Sequence, residues 1–210
     1  MAIDETLAWL YLAGKGGGGE DTRFELVTCD YLKFPGDQAF RFPGFTVNAD
    51  HKITVDFEAL EQISNQTVFG TEGAEDSSKL PYVSQGTSSG KWKTINGSAG
   101  VTFSAAATGR HTFVLNYDGN SNYMDGTKVC DYSPITNSSA RIILGWRESS
   151  IAFNGRLFSF VIESLSTGEE LLHAVPVAVR FSGTYASAGL YDTVNENLYL
   201  NTGCAAGNLP

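Results

Sequence analysis

Apolar and polar residues alternate with a period of two along most of the chain after Phe24. The clearest run is Lys52–Leu60, in which every second side chain is apolar. Such alternation is typical of a β-strand that buries one face. The residues predicted to share the buried face of this strand are Ile53, Val55, Phe57 and Ala59.

Three further runs keep the period of two: His111–Tyr117 with Phe113 and Leu115, Ala140–Trp146, and Arg156–Glu163. In the last run both faces carry apolar residues, with Leu157, Ser159 and Val161 opposite Phe158, Phe160 and Ile162. Apolar residues on both faces predict a strand that is covered on both sides.

Turn-forming dipeptides punctuate these runs: Asn96-Gly97, Asp118-Gly119, Asp125-Gly126, Asn154-Gly155 and Thr167-Gly168. No segment after residue 20 sustains a helical stripe over three turns, and Thr71–Gly90 has the composition of a long surface loop. A chain of 210 residues is long enough for one sizeable β domain. The pattern therefore predicts an all-β, two-sheet antiparallel sandwich of the jelly-roll type over residues 20–210.

The first residues follow a different period. Residues 4–13 predict a short helix that ends at Gly14, and a glycine-rich linker occupies 14–19. A helix this short is marginal alone in water, so its apolar face needs a partner. That partner is either its own domain or another chain, and the tether favours a docking helix over residues 1–13. The docking side chains would be Leu7, Trp9, Leu10 and Tyr11.

Composition and charge narrow the function classes. The formal net charge is −9 with a pI near 4.7, which argues against binding a phosphate backbone. The three cysteines, Cys29, Cys130 and Cys204, form no CxxC pair; they predict thiols in a reducing compartment, with one disulfide plus a leftover thiol as the alternative. The acidic N-terminus does not resemble a secretory signal, so we expect synthesis in the cytoplasm. No cofactor is predicted.

Three blocks of the chain resemble the concanavalin A-like (laminin-G-like) jelly rolls of bacteriophage tail and virion proteins and of gut bacterial surface proteins. They are Tyr31–Phe40, Asn154–Ile162, and Val175–Val177 continued by Gly189–Asn195 and Tyr199–Asn201. The resemblance implies a non-enzymatic virion structural protein, such as a fibre, tail or head decoration. Its expected partners are other virion proteins and host surface glycans, with a homo-oligomer such as a trimer as a further expectation.

The candidate chemistry is a binding surface. Exposed aromatic rings stack on sugars, and the aromatic residues expected in or beside loops are Tyr82, Trp92, Tyr117, Tyr123 and Trp146. The segment Asp118–Gly126 is rich in oxygen ligands but fits a hairpin better than a calcium loop, so no metal is predicted. The alternative is a glucanase-type glycan hydrolase that uses Asp56, Glu58 and Glu61, since a pair at i and i+2 on a strand brings two carboxylates close together.

Overall fold

The computed structural model describes residues 24–36, 38–46, 48–72, 81–96, 99–131, 141–145, 151–181, 184–200 and 205–207. These residues form eighteen β-strands in two sheets. The larger sheet contains β1 (Phe24–Thr28), β2 (Tyr31–Pro35), β4 (His51–Ala59), β9 (Gly109–Leu115), β10 (Ser121–Met124), β11 (Thr127–Asp131), β14 (Asn154–Ser164), β15 (Glu170–Phe181), β16 (Thr184–Asp192), β17 (Asn197–Leu200) and β18 (Ala205–Gly207). The smaller sheet contains β3 (Phe40–Thr46), β5 (Gln66–Glu72), β6 (Val83–Gln85), β7 (Lys91–Asn96), β8 (Ala99–Ser104), β12 (Arg141–Leu144) and β13 (Ile151–Ala152).

The order of strands in the larger sheet is β11-β10-β9-β4-β14-β15-β16-β17, and all of its described pairings are antiparallel. β1 adds to β15, β2 adds to β14, and β18 adds to β2. The smaller sheet runs β3-β12-β5-β6-β7-β8, with β13 beside β5 as a short parallel pair. This is the all-β jelly-roll sandwich that the alternating pattern predicts. The predicted helix and linker lie outside the described residues.

Aromatic side chains from both sheets meet in the core. Phe42 of β3 stacks on Phe160 of β14 at a centroid distance of 5.2 Å, and Trp92 of β7 meets the edge of Phe57 of β4 at 5.5 Å. The inward positions predicted for β4 are all buried, from Ile53 to Ala59. Ile53, Val55 and Phe57 each contribute about 1.5–3 kcal/mol when fully buried, so the sandwich interior supplies the main stabilisation.

The alternation predicted for β14 breaks between Phe158 and Ser159, which places Leu157 and Phe158 on the opposite faces from those predicted relative to Phe160 and Ile162. The pairing with β4 shifts between Leu157 and Ser159, so one extra residue is inserted as a β-bulge. Leu157 therefore shares the buried face with Phe160, while Phe158 and Ser159 both lie on the outer face. No second layer of strands covers Phe158 among the described residues; the Arg110 guanidinium lies 3.8 Å from its ring centroid instead.

Turn predictions have mixed outcomes. Asp125-Gly126 joins β10 to β11, and Thr167-Gly168 lies between β14 and β15, as predicted. Asn154-Gly155 is not a turn, because it opens β14. The segment Thr71–Gly90 is not one continuous loop, because it contains β6, which pairs with β5 and β7.

The closing strand pair is confirmed. Gly189 of β16 lies so close to β17 that a Cβ there would stand 2.4 Å from the carbonyl oxygen of Tyr199. Asp192 is fully buried and holds the following turn, accepting from the Val194 amide at 3.0 Å and from Asn195 Nδ2 at 2.7 Å. Across the described residues, no helix is long and apolar enough to cross a membrane.

Candidate functional site

The outer face of the larger sheet carries the main cluster of charged and aromatic side chains. Because the odd-numbered residues of β4 point into the core, Asp56 and Glu58 point outward. The strand register sets Arg110 of β9 and Arg156 of β14 on either side of Glu58. Across β9, β4 and β14, this row of outward side chains is therefore positive, negative and positive: Arg110, Glu58 and Arg156.

Arg110 binds Asp56 through two parallel hydrogen bonds. Its Nε donates to Oδ1 at 3.0 Å and its Nη2 donates to Oδ2 at 2.7 Å. The hydrogen bond to Asp56 is the main reason that the pKa of Arg110 is raised. This bidentate geometry fixes the plane of the guanidinium.

Arg156 makes the corresponding contact on the other side of the row. Its Nη1 donates to Glu58 Oε2 at 2.8 Å, and its guanidinium carbon lies 4.5 Å from the ring centroid of Tyr31. The Nε atom of Arg156 is buried and has no hydrogen-bond partner among the residues that the structure describes. Contact with an aromatic ring is a common use of arginine beside a binding surface.

The Phe158 ring contacts both Arg110 and Tyr31, and so joins the Arg110–Asp56 pair to the Arg156–Tyr31 pair. The bulge in β14 brings its ring under Arg110, at 3.8 Å, and edge-on to Tyr31, with the two ring centroids 6.0 Å apart. A shallow depression with a volume of about 540 Å³ opens at this point. We call it the arginine–aromatic depression; its lining residues are Asp30, Tyr31, Asp56, Arg110, Arg156, Phe158 and Ser159.

The segment Asn154-Gly155-Arg156 anchors this depression to the edge of the sandwich. Gly155 packs so tightly that a Cβ would stand 2.3 Å from the carbonyl oxygen of Glu58. The Asn154 amide donates to Gln66 Oε1 at 2.9 Å, and Asn154 Nδ2 donates to Glu61 Oε1 at 2.5 Å. These contacts fix the backbone just before Arg156, so the Arg156 side chain stays beside Glu58.

Gln66 belongs to a buried amide cluster below that anchor. Its Nε2 donates to Gln85 Oε1 at 2.6 Å and to the Glu61 carbonyl at 2.9 Å. Gln85 also accepts from the Ile63 amide at 2.7 Å and donates to the Ala107 carbonyl at 2.7 Å. Both glutamine side chains are fully buried, so the cluster ties the loop after β4 and the loop after β8 to strands β5 and β6.

Two of the aromatic residues predicted to bind a ligand lie in the core instead. Trp92 has no exposed surface, and its Nε1 donates to the Ala106 carbonyl at 2.9 Å. Tyr82 is only 8% exposed. Neither ring can offer a face to a sugar, because both are buried; β7 directs Trp92 between the sheets, against Phe57 of β4.

Tyr117 and Tyr123 do lie together on the surface. Their ring centroids are 4.7 Å apart, and Tyr117 is 50% exposed. They occupy the end of the outer face opposite the arginine–aromatic depression. Trp146 and the docking residues Leu7, Trp9, Leu10 and Tyr11 lie outside the described residues.

The segment Asp118–Gly126 forms the predicted hairpin. It contributes β10 and its turn, and Asp125 Oδ2 lies 2.7 Å from Nδ1 of the buried His111. The other oxygen of Asp125 accepts from the Thr112 amide at 2.8 Å. The part of the chain that the structure describes contains no group of three or more His, Cys, Asp or Glu side chains that could hold a metal ion.

The three carboxylates of the hydrolase alternative are all engaged. Arg110 holds Asp56, Arg156 holds Glu58, and Asn154 holds Glu61, which lies beyond the end of β4. Asp56 and Glu58 share the outer face as expected. Each of the two faces a guanidinium.

Sequence reasoning did not select Tyr31, Arg110, Arg156 or Phe158. One local signal was present for Arg156, a cation immediately before the mainly apolar run Leu157–Ile162, whereas nothing local marked Phe158. Arg110 and Asp56 are 54 residues apart, and only the register of β4 against β9 brings them together. No local pattern carries that information.

Comparison with known proteins supports the fold but gives no information about the function. No protein-family model matches the sequence, and no curated protein matches it either. Among solved structures, the chain is similar to a native heptameric SAP-like pentraxin from Limulus polyphemus. The TM-score is 0.51 with 13% identity, over 90% of this chain and 97% of the pentraxin chain. The chain therefore has a concanavalin A-like jelly-roll fold.

Proposed function

We propose that this chain is a non-enzymatic bacteriophage virion structural protein whose jelly-roll domain binds a host surface glycan. The observation that carries glycan binding is the arginine–aromatic depression, in which two aromatic rings and two arginine–carboxylate pairs converge. The virion role is supported by the three sequence blocks that resemble phage tail and virion jelly rolls. The domain would be displayed as a fibre, tail or head decoration.

The depression has the chemistry that a sugar needs. A pyranose presents C–H groups on its faces and hydroxyls at its edge, so it requires both apolar surface and paired donors and acceptors. Tyr31 and Phe158 supply the apolar surface. The bidentate contact uses two of the five N–H donors of Arg110, and the others can donate to ligand hydroxyls.

Hydrolysis by Asp56 and Glu58 is the weaker candidate. A glycosidase needs one carboxyl that donates a proton and one that attacks or activates water. Here both carboxylates are hydrogen-bonded to guanidinium groups. That arrangement suits orientation of a ligand better than proton transfer.

Binding is tested with the full chain on a glycan panel and on whole bacterial cells. We expect saturable binding that Arg110→Ala weakens by about tenfold or more, because a hydrogen bond to a charged group contributes about 1.5–3 kcal/mol. Lys128→Ala is the matched control, since Lys128 is also an exposed cation paired with a carboxylate, Asp131, at 2.6 Å. Equal binding by both variants would remove the depression as the site.

Two further measurements separate the remaining parts of the proposal. Deletion of residues 1–19 should abolish incorporation into the parent particle, as scored by mass spectrometry of purified virions; unchanged incorporation would contradict docking through this segment. Purified protein should release no reducing ends from a broad polysaccharide panel. Release that Asp56→Asn and Glu58→Gln both abolish would favour the hydrolase.

A further inference from the structure

We propose that the outer face of the larger sheet carries a second sugar subsite, formed by Tyr117 and Tyr123, and that the ligand is an extended, uncharged polysaccharide chain that spans both sites. This inference rests on the proposed glycan binding and specifies the class of glycan. It is carried by the geometry of the face between the two aromatic pairs. We call the Tyr117–Tyr123 pair the tyrosine platform.

The tyrosine platform is built to present a ring. The two rings are inclined at 47° with centroids 4.7 Å apart, and the Lys52 ammonium lies 5.6 Å from the Tyr117 centroid. Lys52 is in turn held by Glu163 at 2.8 Å. With half of its surface exposed, Tyr117 is positioned by neighbours and still accessible to a ligand.

Strand register places both sites on one face. Tyr123 pairs with Val114 of β9, Val114 pairs with Thr54 of β4, and these positions point away from the core. Arg110 lies four residues before Val114 on the same strand and also points outward. At roughly 3.3 Å per residue along a strand, these four residues separate the row of Tyr123 from the row of Arg110 by about 13 Å. One sugar ring does not cover that distance.

The floor between the two sites is low. Five of its six outward positions carry short or β-branched side chains, and the sixth, Asp56, is held by Arg110. Among the described residues, the outward positions of β9, β4 and β14 on these two rows carry no long side chain between the two aromatic pairs. The floor residues are Thr112, Asp56, Ser159, Val114, Thr54 and Val161.

The charges on this face favour a neutral chain. Three ion pairs on this face join a cationic side chain to a carboxylate: Arg110 to Asp56, Arg156 to Glu58, and Lys52 to Glu163. Lys33 of β2, in register with Arg156, is a further exposed cation on the same face. The protein as a whole carries −9. An anionic polysaccharide would have to displace these carboxylates against that net charge, whereas a neutral chain needs only hydrogen bonds and stacking.

The test uses the full chain and length-fractionated dextran, mannan, galactan and rhamnan, which are neutral. We expect long fractions to bind more tightly than short ones, and Tyr117→Ala to weaken the long fractions by about tenfold while leaving the short ones unchanged. Raising the salt concentration should leave these affinities unchanged, since no net charge is screened. Tyr185→Ala is the matched control, because Tyr185 is an exposed tyrosine that stacks on Arg180 of β15, away from the tyrosine platform.

The outcomes distinguish the two proposals. Binding that is lost in Arg110→Ala but is independent of chain length and of Tyr117 would overturn the second subsite and leave the first intact. Affinity that falls steeply with salt would overturn the neutral ligand. Absence of binding to every fraction, and to whole cells, would remove the proposed glycan binding together with this inference.

Discussion

Replacing Gly155 with alanine tests the close approach of β14 to β4 on which the arginine–aromatic depression depends. The new Cβ would stand 2.3 Å from the Glu58 carbonyl oxygen and 2.2 Å from Cζ of Phe153. Ordinary contact begins at 3.4 Å, so the backbone contact must open by about 1.1 Å. Glu58 lies in a strand paired on both sides, with β9 and with β14, and cannot retreat alone.

Overpacking of this kind typically costs about 1–3 kcal/mol, and the rigid backbone contact places Gly155→Ala at the upper end. For a domain of this size 3 kcal/mol lowers the Tm by about 6–12 °C. Tryptophan fluorescence, to which the buried Trp92 contributes, reports the loss when it is followed through urea denaturation. Gly100→Ala is the matched control in β8, since its Cβ would meet only the Tyr82 hydroxyl, at 3.5 Å. Equal stability of the two variants would refute the close approach.

Three further outcomes follow from other contacts. Gln85→Leu removes the acceptor for Gln66 and leaves buried polar groups unpaired, so denaturation should show a loss of about 2–3 kcal/mol; an unchanged midpoint would contradict the amide cluster. The pKa of Asp50 is lowered, chiefly by the hydrogen bond from Ser164; its stabilisation is therefore present above the unfolded pKa and is lost as pH falls through the folded pKa. Asp50→Asn should flatten the fall in stability below about pH 4, and a parallel pH profile would contradict this. Burial raises the pKa of Cys130, so its alkylation by iodoacetamide at neutral pH should be slower than that of a small-molecule thiol, as followed by mass spectrometry; equal rates would contradict its burial.

The core of β4 could be predicted from sequence because its alternation is unambiguous. Lys52, Thr54, Asp56 and Glu58 are polar, so only one phase of the strand buries apolar area. β14 offers apolar residues in both phases, and the bulge at Phe158 leaves no local trace. The prediction therefore missed the residue that joins the two halves of the depression.

Trp92 shows a different failure. Lys91-Trp92-Lys93-Thr94-Ile95 alternates in its first three residues, which is enough to predict an inward tryptophan. Because one long loop was expected over Thr71–Gly90, the prediction placed Trp92 beside that loop instead of in the core. Tyr117 and Tyr123 could be placed on the surface from their turn-rich segment, but their position relative to Arg110 depends on strand register, which spacing alone does not set.

β14 pairs with β4 along its length, with β2 at its beginning and with β15 at its end. The two ion pairs beside it join residues 54 and 98 positions apart in the chain. Proteins dominated by such distant pairings fold on the scale of milliseconds to seconds, because long loops must close before any contact forms. During synthesis, residues 24–131 emerge before β14, so the edge of β4 that pairs with β14 has no partner until β14 emerges. The binding face therefore forms late and as a unit. A chain truncated before residue 154 would lack the depression and expose the edge of β4, which is a template for aggregation.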